Sequence, residues 1–121
     1  MSGARFLLDT NIVLGLLKAR AEAVALFERA GRPPLSACAV SSVSRIELLG
    51  FPGITADEET AVVAFLACVA YLPLTAPVED EAIALRRSRR LKLPDAVVAA
   101  TARVHGLELL TLDEALAARW H

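Results

Sequence analysis

Arg5-Phe6-Leu7-Leu8-Asp9-Thr10-Asn11-Ile12-Val13-Leu14 is the stretch on which the reading of the fold turns. Arg5 to Leu8 reads as a short buried strand. Asp9, Thr10 and Asn11 are each favoured helix N-caps, because their side-chain oxygens accept hydrogen bonds from the unpaired amides of a first turn. Ile12 to Lys18 then continues at helical spacing. A strand that opens directly into a helix is the beginning of a β–α–β unit.

The pattern repeats outward from there. Ala21 to Ala30 is an amphipathic helix ending at Gly31, and Pro33-Pro34 breaks the chain. Leu35 to Val40 is the second strand. Ser41, Ser42 and Ser44 offer caps for a helix through Glu47 to Leu49, closed by Gly50. Thr55-Ala56-Asp57-Glu58 matches a capping box, so a helix runs to about Cys68. Val69 to Leu74 is the third strand and Val78 to Arg90 a helix. Pro94 opens the next helix, which stops at His105-Gly106. Leu107 to Leu110 is the fourth strand, and Asp113 to Arg119 a terminal helix. Strands alternating with helices predict one α/β domain over residues 1–121, with a mainly parallel sheet of four to five strands.

The 121 residues suffice for one domain with a real core. Hydrophobic residues make up 55%, above the roughly 45–50% usual in soluble proteins, which suggests apolar surface covered by a partner. The net charge of −1 gives no global attraction to nucleic acid or membrane. The longest apolar stretch, Ala61 to Leu74, contains Pro73 and falls short of the roughly 20 residues of a membrane span. No secretory signal is evident, so a cytoplasmic location is expected. Cys38 and Cys68 lie in apolar surroundings and are expected to be buried free thiols.

Four acids stand beside apolar segments: Asp9, Glu47, Asp95 and Asp113. Carboxylates are rarely kept next to buried surface without compensation. In parallel sheets, sites form at the carboxyl ends of the strands. Asp9 follows the first strand and Asp113 the fourth, while Glu47 and Asp95 lie on helices. Asp9, Asp95 and Asp113 also suit plain helix starts, and Glu47 suits a solvated helix face; these readings and a shared site are not exclusive. If the fold gathers the four, a hard divalent cation is the remedy for their repulsion.

The motifs Leu7-Leu8-Asp9-Thr10-Asn11-Ile12-Val13-Leu14, Val40 to Gly50 around Glu47, Leu91 to Ala102 around Asp95, and Leu109-Leu110-Thr111-Leu112-Asp113-Glu114 together resemble the PIN-domain proteins of bacterial and archaeal toxin–antitoxin pairs, the VapC-like ribonucleases. The resemblance covers nearly the whole chain. It implies a PIN-like α/β/α sandwich and a metal-dependent endoribonuclease with Asp9, Glu47, Asp95 and Asp113 as the catalytic and metal-binding acids. It also implies Mg²⁺ or Mn²⁺ as cofactor, RNA as substrate, a small cognate antitoxin as inhibitor and a homodimer. Asn11 and Thr111 match polar positions bordering the family's pocket. Many relatives carry an aromatic and a final strand after the fourth acid, whereas this sequence runs to Arg119-Trp120-His121.

Arg86, Arg87, Arg89, Arg90 and Lys92 form a basic run leading to Asp95. Part of it reads as a solvated helix face, and Arg86 with Arg90 as a phosphate clamp. His105 reads as a helix-end residue, and His121 as disordered. The alternative is a catalytically silent PIN-like module that binds an antitoxin; the intact tetrad argues against it. A phosphotransferase with a nucleophilic Asp9 would want a second acid where Asn11 stands.

Overall fold

The computed structural model describes residues 3–121. Four strands, β1 (Phe6–Leu8), β2 (Cys38–Ser41), β3 (Ala70–Leu72) and β4 (Glu108–Leu110), form one sheet of order β3-β2-β1-β4, and every neighbouring pair is parallel. Among the described residues there is no fifth strand. Among the described residues the seven α-helices are α1 (Thr10–Leu17), α2 (Ala21–Arg29), α3 (Ser42–Leu49), α4 (Ala56–Leu66), α5 (Ala76–Arg89), α6 (Leu93–His105) and α7 (Glu114–Arg119).

Side chains alternate across a strand, so each sheet face receives its own core. Leu7, Ala39 and Leu109 pack with Val78 and Leu85 of α5, Val98 of α6 and Leu116 of α7. Phe6, Leu8, Cys38, Val40 and Leu110 pack on the other face with Ile12 and Val13 of α1, Leu48 of α3 and Val62 of α4. The result is an α/β/α sandwich. Helix α6 is buried along Ala96–Ala102, and its four alanines let it lie close to the sheet. Gly15 of α1 likewise permits close approach to α2: a side chain there would collide with Ala23 Cβ.

Several local signals act as expected. Thr55 and Glu58 form the capping box, with bonds of 2.9 and 3.1 Å. Gly106 closes α6 at φ +65°. Other expectations need correction. Leu35–Ala37 is a turn of 3-10 helix, not strand, because the Ala37 amide bonds to Pro34 carbonyl at 2.8 Å before β2 begins. The third strand covers only Ala70–Leu72, at the sheet edge. Cys38 is buried, and burial pushes its thiol up to about 11, but Cys68 is exposed. The His121 ring packs edge-on against Trp120, with centroids 5.0 Å apart. No helix among the described residues is long and apolar enough to cross a membrane.

Candidate active site

The chain runs β1 to β2 to β3 toward one edge, then crosses back to place β4 on the far side of β1. The reversal leaves a crevice beyond the carboxyl ends of β1 and β4, the place where open α/β sheets hold ligands. Asp9 leaves β1 at this crevice. Its amide donates to Leu110 carbonyl at 3.0 Å, so β1–β4 pairing continues up to the acid. Asp9 caps α1 through Oδ1, which accepts from the Thr10 amide at 2.8 Å. Oδ2 accepts from Thr111 Oγ1 at 2.7 Å and from Asn11 Nδ2 at 3.4 Å.

Asp113 follows β4 and caps α7, its Oδ1 accepting from the Leu116 amide at 3.1 Å. Its own amide donates to Thr111 Oγ1 at 3.1 Å. Asn11 braces the same loop, since its Oδ1 accepts from the Leu112 amide at 3.0 Å. Glu47 stands exposed on α3, where Oε1 accepts from Thr10 Oγ1 at 2.6 Å. Asp95 sits in the first turn of α6 after Pro94, half-buried and making no hydrogen bond among the described residues. All four acids line one open cavity of about 260 Å³, together with Thr10, Asn11 and Pro94.

Electrostatics follow from this placement. Burial pushes the Asp9 carboxyl above its usual range; the bonds from Thr111 and Thr10 oppose the shift, and the charges of Asp95 and Glu47 add to it. Asp95 is likewise raised, by burial first and then by Asp113, with Lys92 opposing and Glu47 adding. The two ion pairs among the described residues, Arg32–Glu28 and Arg103–Glu81, involve none of the four acids.

The donor set fits a hard divalent cation: four carboxylates that repel one another, beside the neutral oxygens of Thr10 and Asn11, with no side-chain cation among the described residues paired to them. Among the described residues, no three His, Cys, Asp or Glu side chains are drawn together tightly enough to cage an ion as they stand. Asp9, Glu47 and Asp113 are each held by hydrogen bonds to neighbouring groups. Asp95 has no bond to break before it turns toward an ion.

Arg86 and Arg90 are exposed and enter no ion pair among the described residues. Arg89 has a different use from the rest of its run. Its guanidinium donates to the carbonyls of Arg119 and His121, both at 2.9 Å, and so fastens the C-terminal residues to α5. Thr10 is readable from sequence only as a cap, and its contact with Glu47 carries no local sequence signal. A larger cavity of about 720 Å³, near Gly106, Glu108 and Trp120, holds none of the four acids.

The PIN-domain family profile matches residues 6–119. The fold is similar to a chain of a toxin–antitoxin complex from Klebsiella pneumoniae, at 33% identity over 87% of this chain and 83% of that one, with TM-score 0.73. It also resembles FitAcB from Neisseria gonorrhoeae, at 22% identity over 95% and 92% of the two chains with TM-score 0.77. The likeness to VapBC2 from Rickettsia felis, bound to a DNA fragment from their promoter, is 18% identity over 88% and 85% with TM-score 0.70. The last two likenesses speak for the fold alone. No functionally curated protein matches the sequence significantly.

Proposed function

The chain belongs to the PIN-domain family, and from that premise we propose that it is a VapC-like toxin, a metal-dependent endoribonuclease restrained by a cognate antitoxin. One observation carries the reading: acids from four distant segments line a single cavity at the carboxyl edge of the sheet, with no cation bound to them by the protein itself.

Asp9 and Asp95 would be the most direct ligands of Mg²⁺ or Mn²⁺, with Glu47 and Asp113 completing the set. When bound, the ion would acidify an attacking water, orient the scissile phosphate and stabilise the charge that develops on it. The protein's own side chains divide the remaining work. Thr111 holds Asp9 in place and opposes the upward push of burial on its carboxyl. Asn11 and Thr111 keep the Asp113 loop against the Asp9 loop. Either Glu47, exposed at the rim with Oε2 unengaged among the described residues, or Asp113 would act through a water or as the proton acceptor. Arg86 and Arg90 supply phosphate contacts for RNA, and the Lys92 charge acts on Asp95.

Two apolar grooves support the expected partners. One, lined by Leu14, Leu48, Phe51, Ile54 and Val62, reaches Glu47 and suits an antitoxin segment that blocks the cavity. Another, around Ile46, Leu74 and Leu93, leaves these large side chains exposed and suits a second copy of the chain. A cytoplasmic location goes with this reading.

The test is purified protein with total RNA, with Mg²⁺ or with EDTA, followed by mapping of new 5′ ends. Defined cleavage is expected with Mg²⁺ only, and none from Asp95→Asn. Wild-type cleavage by Asp95→Asn, or undiminished cleavage in EDTA, would sink the proposal. If antitoxin binding occurs without any cleavage by wild-type protein, the silent-module reading takes its place.

A further inference from the structure

Thr10 touches two of the four acids through two different donors. Its amide gives to Asp9 Oδ1 at 2.8 Å, and its hydroxyl gives to Glu47 Oε1 at 2.6 Å. The hydroxyl oxygen also lies 3.1 Å from Ser44 Oγ. A hydroxyl has one proton, and a carboxylate can only accept. The Thr10 proton therefore goes to Glu47, the shorter bond and the charged acceptor, and Ser44 Oγ is the second, weaker partner of the same hydroxyl. Ser44 has no exposed surface and sits three residues before Glu47 on α3.

We propose that Thr10 is the positioning residue for Glu47, fixing that carboxylate relative to Asp9, with buried Ser44 as the neighbour that keeps the Thr10 hydroxyl at this spot. The proposal rests on the metal-nuclease reading of the cavity. It addresses a specific weakness in the tetrad. Asp9 and Asp113 are short side chains locked by capping their own helices, and Asp95 is a short side chain in a first turn. Glu47 is longer, exposed, and bonded to no backbone amide. Left alone, it would sample several rotamers and lose that freedom on ligation. A short, charge-assisted bond restrains it beforehand.

A merely structural role is the competing explanation, with Thr10 stapling α1 to α3. Burial of Ile12, Val13 and Leu48 in one cluster already joins those helices. The Thr10–Glu47 bond is exposed, where a hydrogen bond adds little to folding. Orientation of the carboxylate is where its loss should be felt.

The experiment compares full-length wild type, Thr10→Val, Thr10→Ser and Ser44→Ala. Three readouts are taken: Mn²⁺ affinity from the free-ion electron paramagnetic resonance signal, kcat and KM on one RNA, and thermal midpoint. Thr10→Val should bind Mn²⁺ roughly 10–100-fold more weakly, the range for lost outer-shell partners of metal ligands. Its kcat should fall with KM little changed, and its thermal midpoint should stay near that of wild type. Thr10→Ser should restore affinity and turnover. Ser44→Ala keeps the Thr10 hydroxyl while removing its buried neighbour and should weaken Mn²⁺ binding less; it tests the positioning role even if Thr10→Val folds poorly. Wild-type Mn²⁺ affinity in both Thr10→Val and Ser44→Ala, beside an active wild type, overturns the positioning role and leaves the nuclease reading intact. Equal impairment of Thr10→Ser and Thr10→Val also overturns it, since packing and not the hydroxyl would then be at issue. A wild type that neither binds Mn²⁺ nor cuts RNA removes the underlying reading, and this proposal with it.

Discussion

Thr111 Oγ1 donates to Asp9 Oδ2 over 2.7 Å, joining residues 102 positions apart in the chain. Asp9 is only 8% exposed, so the bond serves a carboxylate with little access to water. Thr111→Val leaves that buried acceptor short of a donor, a loss worth about 1–3 kcal/mol. The Asp9 carboxyl is already raised by burial, and Thr111 opposes the shift, so the variant raises it further. A raised acid contributes stability that is fully present below its unfolded value and lost as pH rises through the folded value. Urea unfolding of metal-free protein should therefore show a larger penalty at pH 7.5 than near pH 3.5. Equal penalties would mean that the ionised acid is not involved.

Asp95 lacks hydrogen bonds and is pushed up by burial, Asp113 and Glu47. Its charge burdens the metal-free fold. Asp95→Asn should raise the thermal midpoint in EDTA by roughly 2–4 °C, a small figure because the group is only half-buried and solvent screens its repulsions. The advantage should fade as pH falls below the ordinary Asp value of 3.8, where the wild-type group is protonated in both states. Parallel wild-type and variant curves across that range would count against the repulsion.

Divalent ions should reverse that order. A ligand present at 100 times its Kd stabilises the native state by about 2.7 kcal/mol. Saturating Mg²⁺ or Mn²⁺ should raise the wild-type midpoint and leave Asp9→Asn and Asp95→Asn nearly unmoved. Differential scanning calorimetry at several ion concentrations checks this, and equal shifts in all three proteins would place the ion elsewhere.

Arg86 and Arg90 are free of ion pairs among the described residues, whereas Arg89 is committed to the C-terminal carbonyls. Replacing Arg86 and Arg90 together by Gln should weaken RNA binding and reduce the salt slope by about 0.7 for each single-strand phosphate that is no longer neutralised. Fluorescence anisotropy from low to moderate salt measures it; an unaltered slope dismisses the clamp.

Gly15 and Ala23 allow α1 and α2 to touch, and Gly15→Ala drives a methyl into Ala23 Cβ. Overpacking of this kind costs about 1–3 kcal/mol. Chemical denaturation should detect it, and a neutral substitution would show that α2 can move away cheaply.

The fold is most legible in the sequence where one segment holds its own cause. Thr55 with Glu58, Pro94 and Gly106 mark helix ends through local bonds and backbone limits. Leu35–Ala37 misleads, because an apolar run looks like strand while Pro34 carbonyl captures the Ala37 amide. Cys68 misleads too, since its apolar neighbours do not reveal that the edge of the sheet lies beside it. The acids are visible because carboxylates beside apolar runs are unusual. Their braces are less so, since Thr10 meets Glu47 across 37 positions and nothing in either segment announces the contact.

The strand order has a consequence for the timing of assembly. β4 joins the sheet last in chain order, yet it lies directly against β1 and delivers both Thr111 and Asp113 to the crevice. A polypeptide emerging from the ribosome and not yet translated past Leu110 has Asp9, Glu47 and Asp95 but neither the restraint on the first nor the fourth member. The crevice therefore takes shape only after β4 has been made and has paired with β1.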